Sequence, residues 1–291
     1  MENIYSSNYL EEYRKKGYTI LRGFLSPKEV GELAAAIDEV KAEGMQHPAS
    51  FRHQNLLFLI QPDPELGKVL RFCQWPSYSR PLFEKYRTDR RFYELLSPLL
   101  GENIKQIINQ IIWKTPGSHQ TTYGYHQDAR FRRPESAYRQ IDVSYIQTAI
   151  AIDPHTVENG CMTFIEGSHL MGNLKYHTSK SVLQEHISDE VLEQLGMRHL
   201  EKVDILLEPG DLAIWHPFLL HGSRANRSGY DRRAYVNGYV KAENCDRGEW
   251  TFRKGQPVPL SEPVLVQFED LFERPEPHYI QGAPYPVKKK T

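Results

Sequence analysis

The sequence predicts a mainly β protein with flanking helices, its strands closing into a sandwich or barrel. Two observations predict it. β-type runs recur from Asn103 onward: Ile104 to Trp113, Val143 to Ile152, Met162 to Ile165, Val203 to Leu207, Leu212 to Trp215 and Ala234 to Val240. Turn signals part them, at Pro116-Gly117, Glu158-Asn159-Gly160, Glu166-Gly167-Ser168 and Pro209-Gly210-Asp211. Short strands punctuated in this way build sandwiches and barrels.

Before Asn103 the pattern is mostly helical. Asn8 to Lys16 is a short amphipathic segment, and Tyr18-Thr19-Ile20-Leu21 is a β-branched, aromatic run that predicts a strand. Ser26-Pro27-Lys28-Glu29 starts a helix, with Ser26 as N-cap, Pro27 at the first helical position and Glu29 closing a capping box. That helix is expected to run to about Glu43, before Gly44, with Val30, Leu33, Ala34 and Ile37 on one face. A second helical pattern covers Asp89 to Leu100, with Pro98 breaking its end. Between them, His47 to Ser79 mixes Pro, aromatic and polar residues and is expected to be loop with short pieces. An insert from Leu170 to Leu200, helical over Ser188 to Leu195, is expected to form a mobile cover over the barrel mouth with part of His47 to Ser79. There is no repeat or clear linker. The expected organisation is one domain over 1–291: a helix-rich part over 1–102, a β core over 103–245 and a C-terminal extension over 246–291.

Composition narrows the function. A chain of 291 residues can bury a sizeable core. A net charge of −1 gives no global pull toward nucleic acid or an anionic membrane, so neither is expected as a partner. The 17 tyrosines suit sheet packing first, and lining of an aromatic ligand pocket second. Cys73, Cys161 and Cys245 are odd in number and widely spaced, which suits a reducing cytoplasm rather than a disulfide framework. Met1 to Tyr18 has no apolar core of a signal peptide, and no run approaches a membrane span. The Lys288-Lys289-Lys290-Thr291 end is expected to be solvated.

The chemistry is concentrated in Tyr125-His126-Gln127-Asp128. His126 and Asp128 lie two apart, so on a strand they share a face. Among twelve histidines such a pair alone is weak. A second histidine from a later strand, His221, completes two imidazoles and one carboxylate. That facial triad leaves three positions of Fe(II) open, as in non-haem iron oxygenases. His216 competes for the role; His221 is favoured because Gly222 and Ser223 let backbone and a small hydroxyl approach a ligand. His216 then reads as a hydrogen-bonded sheet histidine. Arg232, eleven residues past His221, offers a fixed cation for the far carboxylate of a 2-oxo acid. Arg233 is its rival, and on a strand only one of the two points inward. A zinc hydrolase would use the same ligands but leaves Arg232 without a purpose. So does a non-catalytic, cupin-like metal or small-molecule binding protein.

Together these pieces resemble the phytanoyl-CoA dioxygenase family of Fe(II)/2-oxoglutarate oxygenases. The resemblance runs from Tyr18-Thr19-Ile20-Leu21-Arg22-Gly23-Phe24-Leu25 to about Tyr239. It rests on Tyr125-His126-Gln127-Asp128, Glu158-Asn159-Gly160-Cys161, Gly167-Ser168-His169, Pro209-Gly210-Asp211, His221-Gly222-Ser223 and Arg232-Arg233-Ala234. It implies a double-stranded β-helix (jelly-roll, cupin-like) core. It implies His126, Asp128 and His221 as iron ligands, Arg232 on the 2-oxoglutarate C5 carboxylate with Ser223 beside it, and Gln110 as a further co-substrate contact. The implied cofactors are Fe(II), 2-oxoglutarate and O2, and the implied products succinate, CO2 and an oxidised small-molecule substrate.

Two positions depart from the family pattern. Ala149 stands where a Trp often faces the co-substrate, which implies a roomier pocket, and Glu166 stands where Pro is usual. Asp128 is the carboxylate that related halogenases replace with Gly or Ala, so oxygen chemistry is expected. Arg130, Arg132 and Arg133 either meet an anionic substrate or form a solvated run. Tyr123, Tyr125, Phe131 and Tyr145 either line the pocket or pack the sheet. The fold names no substrate; an amino acid, a polyketide or alkaloid intermediate, a phosphonate and an acyl thioester all fit. The sequence carries no signal of oligomeric state.

Overall fold

The computed structural model describes residues 8–118, 122–174 and 189–280. In chain order its helices are α1 (Tyr9–Lys16), α2 (Pro27–Gln46), α3 (Pro81–Arg87), α4 (Arg90–Leu100), α5 (Ile141–Ser144) and α6 (Asp189–Gln194). Its longer strands are β1 (Tyr18–Leu21), β2 (Phe51–His53), β3 (Leu56–Asp63), β4 (Gly67–Gln74), β5 (Ile104–Lys114), β6 (Tyr123–His126), β7 (Tyr145–Ala151) and β8 (Met162–Ile165). They continue with β9 (Lys202–Ile205), β10 (Leu212–Trp215), β11 (His221–Ser223), β12 (Arg232–Lys241) and β13 (Glu249–Arg253), and two short strands close the series, β14 (Gln256–Pro257) and β15 (His278–Tyr279).

The expected local signals explain the helices. Ser26 accepts from the Glu29 N–H while Glu29 accepts from Ser26, the full capping box at the start of α2. The helix runs three residues beyond Glu43. Gly44 is a packing glycine, not a stop: a Cβ there would lie 2.8 Å from Phe58 and 2.9 Å from Leu70. Asp89 caps α4 by accepting from the Arg91 N–H, and Pro98 sits inside the helix rather than ending it. It falls in the last turn, where only one ladder bond is lost.

The stretch His47 to Ser79 is not loop. β2, β3 and β4 form an antiparallel meander that extends the major sheet. Leu56 to Ile60 is buried at every position, so it shows no alternation. A strand covered on both faces loses the period-two signal. The first hundred residues therefore contribute four strands as well as four helices.

Two antiparallel sheets face each other as a jelly roll. The major sheet runs β1-β10-β7-β12-β5-β4-β3-β2-β15, with β13 and β14 attached at β5. The minor sheet runs β6-β11-β8-β9. The C-terminal extension is thus woven into the major sheet through β13 and β15 rather than appended to it. Alternation along β7 and β12 sorts the core. Ile146, Ile150, Tyr235 and Tyr239 face outward onto the helices, against residues such as Phe83 and Phe92. Tyr145, Ala149, Ala151, Ala234 and Val236 face the interior between the sheets. Losing a buried ring such as Phe83 or Phe92 would cost about 3–5 kcal/mol. Ala149 and Ala213, paired across β7 and β10, are among the small inward residues of this cluster.

Of the insert, residues 175–188 lie outside the described residues. Leu192 and Met197 on its far side pack with Ile165 and Leu220. Ile165 points away from the interior that Phe164 faces. These described flanks therefore cover the back of the minor sheet. The meander β2–β4, as part of the major sheet, is no portion of a cover.

Candidate active site

Three elements deliver the triad. β6 ends at His126, Gln127 is still extended, and Asp128 opens a 3-10 turn through Phe131. Asp128 is therefore not on the strand as the spacing predicts. The extended Gln127 nevertheless returns Asp128 to the side of His126. His221 stands directly opposite His126 in the β11–β6 ladder. His126 Nε2 lies 3.8 Å from Asp128 Oδ1, and His221 Nε2 lies 3.6 Å from Asp128 Oδ2. The ligand atoms of all three fall within 4.8 Å of one another, and all three residues are buried.

The backbone sets the tautomers. His126 Nδ1 is 2.7 Å from the Gly124 carbonyl and His221 Nδ1 is 2.9 Å from the Leu219 carbonyl. A carbonyl only accepts, so each Nδ1 carries its proton and each Nε2 turns a lone pair toward Asp128. Burial pushes the His126 pKa down to about 4, with the neighbouring His221 adding to the shift and Asp128 opposing it. At neutral pH His126 is a neutral donor. Asp128 Oδ2 accepts a hydrogen bond of 2.8 Å from the Trp215 indole N–H.

The surrounding motifs are mainly scaffold. Gly222 serves strand contact rather than ligand approach: a Cβ there would sit 2.9 Å from the Tyr123 carbonyl and 3.1 Å from the Tyr125 nitrogen. Ser168 Oγ accepts from the Leu220 N–H behind His221. Asp211 accepts from the Gly23 N–H and pairs with Arg22. Glu166 accepts from the Tyr18 hydroxyl at 3.0 Å, which gives that departure a structural role. His216 lies one residue past β10 and away from the triad. Its Nδ1 accepts from the Phe218 N–H, and its ring packs on Tyr13 and His169.

Around Tyr123, on the strand that ends at His126, lies a cluster of buried cations. Arg233 turns outward and pairs with Asp153 at 2.7 Å and Asp38 at 2.8 Å. Arg232 turns inward, 4% exposed, and its Nε and Nη1 have no partner. Burial lowers its pKa only to about 10, so it stays charged at neutral pH. Sequence reasoning missed two companions. Lys114 lies directly opposite Arg232 in the β12–β5 ladder, fully buried, with Nζ donating to the Arg224 carbonyl. Arg71 on β4 donates to Gln61, while its Nε and Nη2 have no partner. Arg71 and Lys114 both lie over the Tyr123 ring, at 4.9 and 5.5 Å, and the buried Tyr123 hydroxyl is also unpartnered. Arg71 escaped notice inside the stretch read as loop. Lys114 carried a signal: it continues the inward series Gln110, Ile112, Lys114, where a charge is out of place.

The remaining expected residues fall as follows. Ser223 is buried on β11, opposite Tyr123 and two residues from His221. Gln110 is on β5, where its side chain accepts from Gln74 at 3.2 Å. Phe131 packs edge-on against His126 at 5.5 Å and is 40% exposed. Tyr145 faces the interior, donates to Gln147 at 2.9 Å and carries Arg132 over its ring at 5.6 Å. Tyr125 packs with the cluster behind the minor sheet instead. Arg133 pairs with Glu135 on the surface.

Proteins of known family and fold resemble this chain. The chain is 24% identical over 243 residues to a probable alpha-ketoglutarate-dependent hypophosphite dioxygenase of Stutzerimonas stutzeri, covering 80% of this chain and 77% of that protein. It is 27% identical over 300 residues to a phytanoyl-CoA dioxygenase domain-containing protein 1 homolog of Caenorhabditis elegans, covering 90% and 98%. Among solved structures, EctD from S. alaskensis with 2-oxoglutarate and 5-hydroxyectoine has the same fold, with a TM-score of 0.66 at 20% identity, covering 91% and 87%. The carbocyclase SnoK from nogalamycin biosynthesis superposes with a TM-score of 0.62 at 19% identity, covering 89% and 95%. The family model for phytanoyl-CoA dioxygenase matches residues 13–234, and the chain belongs to that family.

Proposed function

We propose that this Fe(II)/2-oxoglutarate-dependent oxygenase hydroxylates a C–H bond of a small-molecule substrate, with His126, Asp128 and His221 as its metal ligands. The donor set fits Fe(II): two neutral imidazoles and one carboxylate converge, with no thiolate among them. When bound, Fe(II) with 2-oxoglutarate and O2 supplies the oxidising power, releasing succinate and CO2. The protein binds, orients and shields.

One observation carries the reading: a buried, charged arginine with unpartnered nitrogens stands among the cations around Tyr123. An unpaired buried charge is costly, and a carboxylate is its natural complement. Arg232 holds the far carboxylate of 2-oxoglutarate, with Ser223, Lys114, Arg71 and the Tyr123 hydroxyl around it. Gln110 orients the co-substrate from β5. A metal-binding protein without turnover has no use for this pocket. Tyr145, Gln147, Phe131 and Arg132 meet the substrate from the open side. The relative named for a phosphorus oxyanion makes phosphonates, which carry the C–H bond that hypophosphite lacks, the first substrates to try.

We place the enzyme in the cytoplasm, where its three buried free cysteines stay reduced. No helix among the described residues is long and apolar enough to cross a membrane. The test is succinate formation with Fe(II), 2-oxoglutarate and O2 over a panel of phosphonates, amino acids and acyl thioesters. Hydroxylated product in step with succinate is expected. A desaturated or demethylated product instead would overturn hydroxylation.

A further inference from the structure

Asp128 is gripped from the sheet opposite to the one that delivers His126 and His221. Trp215 is the last residue of β10 in the major sheet, paired with Tyr18 on one side and Gln147 on the other. Its indole crosses the interior to Asp128 Oδ2 at 2.8 Å, and both residues are buried. The same ring lies edge-on to His221 at 5.6 Å and tilted on Phe164 at 5.8 Å. Two rings of the minor sheet therefore fix its orientation.

An indole N–H is a donor only, and a bond from it to a carboxylate is charge-assisted. The terminal torsion of an aspartate is otherwise broad. Asp128 sits in a 3-10 turn rather than a ladder, so its backbone alone does not fix the carboxylate. A carboxylate free to turn can chelate with both oxygens and occupy a position that the co-substrate or O2 needs.

We propose that Trp215 is a positioning residue for the metal site: its indole N–H occupies Asp128 Oδ2 and presents Oδ1 as a single ligand atom. The proposal rests on the metal-site assignment above. Trp215→Phe keeps an aromatic ring but loses the donor together with the pyrrole half of the indole. Trp113→Phe is the control for ring loss, since Trp113 is buried on the helix side of the sheet and its N–H has no partner.

The experiment titrates Co(II) into the metal-free full-length protein and records affinity and the visible spectrum. Loss of an outer hydrogen bond to a ligand weakens metal binding by about 10–100-fold. Trp215→Phe should show that loss with a changed Co(II) spectrum, and Trp113→Phe should show neither. A rise in KM for 2-oxoglutarate should accompany it. Wild-type affinity within twofold and an unchanged spectrum in Trp215→Phe would overturn the proposal. Absence of Co(II) binding in the wild type would instead defeat the metal-site assignment itself. If Trp215→Phe does not fold, the indole N–H resonances of the ¹⁵N-labelled wild type decide. One of them should lie downfield and move when Zn(II) is added. If none moves, the proposal fails.

Discussion

Arg232 and Lys114 face each other directly across the β12–β5 ladder, both buried, and among the described residues neither forms an ion pair with a carboxylate. Like charges opposite each other on a sheet destabilise it. Such a pair persists where an anionic ligand compensates it. The neighbouring Arg233 shows the contrast: it turns outward to Asp153 and Asp38 and is fully paired.

The two arginines should therefore separate binding from stability. Arg232→Ala should collapse 2-oxoglutarate affinity, by the roughly 3–5 kcal/mol expected when one partner of a buried ionic contact is removed. Arg233→Ala should leave that affinity nearly intact but lower thermal stability, since it strips a part-buried Asp153 of its partner. Calorimetric titration and melting curves measure both. The reverse ranking would show that the wrong arginine had been assigned.

Lys114 should couple co-substrate binding to protons. Burial first, then Arg232 and Arg71, hold its pKa well below the ordinary lysine value. A bound carboxylate favours the charged form and raises that pKa. The complex then holds more protons than the free protein, so affinity should fall as pH rises above the depressed value. For the empty protein the sign is opposite: the unfolded chain binds the extra proton, so this residue's contribution to stability rises with pH over the same window. Titrations in buffers of different ionisation enthalpy should reveal proton uptake, and Lys114→Met should abolish it. Equal apparent enthalpies in all buffers for the wild type would exclude the coupling.

Much of this site was legible in the sequence, and physics explains the remainder. That only one of Arg232 and Arg233 turns inward follows from strand alternation, a local property, whereas the reason for preferring His221, ligand approach at Gly222, gives way to strand contact there. Asp128 joins His126 and His221 by another route, through a turn that two-residue spacing does not encode. Trp215 carried no signal beyond the end of a β-type run, because its contact with Asp128 crosses from one sheet to the other. Lys114 was visible as a charge in the inward series of β5, but its position opposite Arg232, like Arg71's over Tyr123, needed the strand register, which no single segment specifies. β3 hid because burial on both faces erased its alternation.

The insert should respond to ligands through Gln127. Its side chain donates to the Gly172 and Phe218 carbonyls and accepts from the Leu174 N–H, tying the triad segment to the start of the insert. Amide exchange at Gly172 and Leu174 should slow when metal and 2-oxoglutarate are added. Gln127→Ala should remove that protection while sparing the β5–β12 ladder. Identical exchange with and without ligands would refute any link between insert and site.

The most direct test of the whole account is 2-oxoglutarate turnover to succinate and CO2 by wild type and Asp128→Ala under saturating Fe(II) and O2. Asp128→Ala should stay folded, destabilised by about 1–3 kcal/mol because the Trp215 N–H loses its acceptor. Succinate is expected from the wild type and none above background from the folded variant. Equal succinate formation by both proteins, or none by a metal-loaded wild type across the substrate panel, would contradict it.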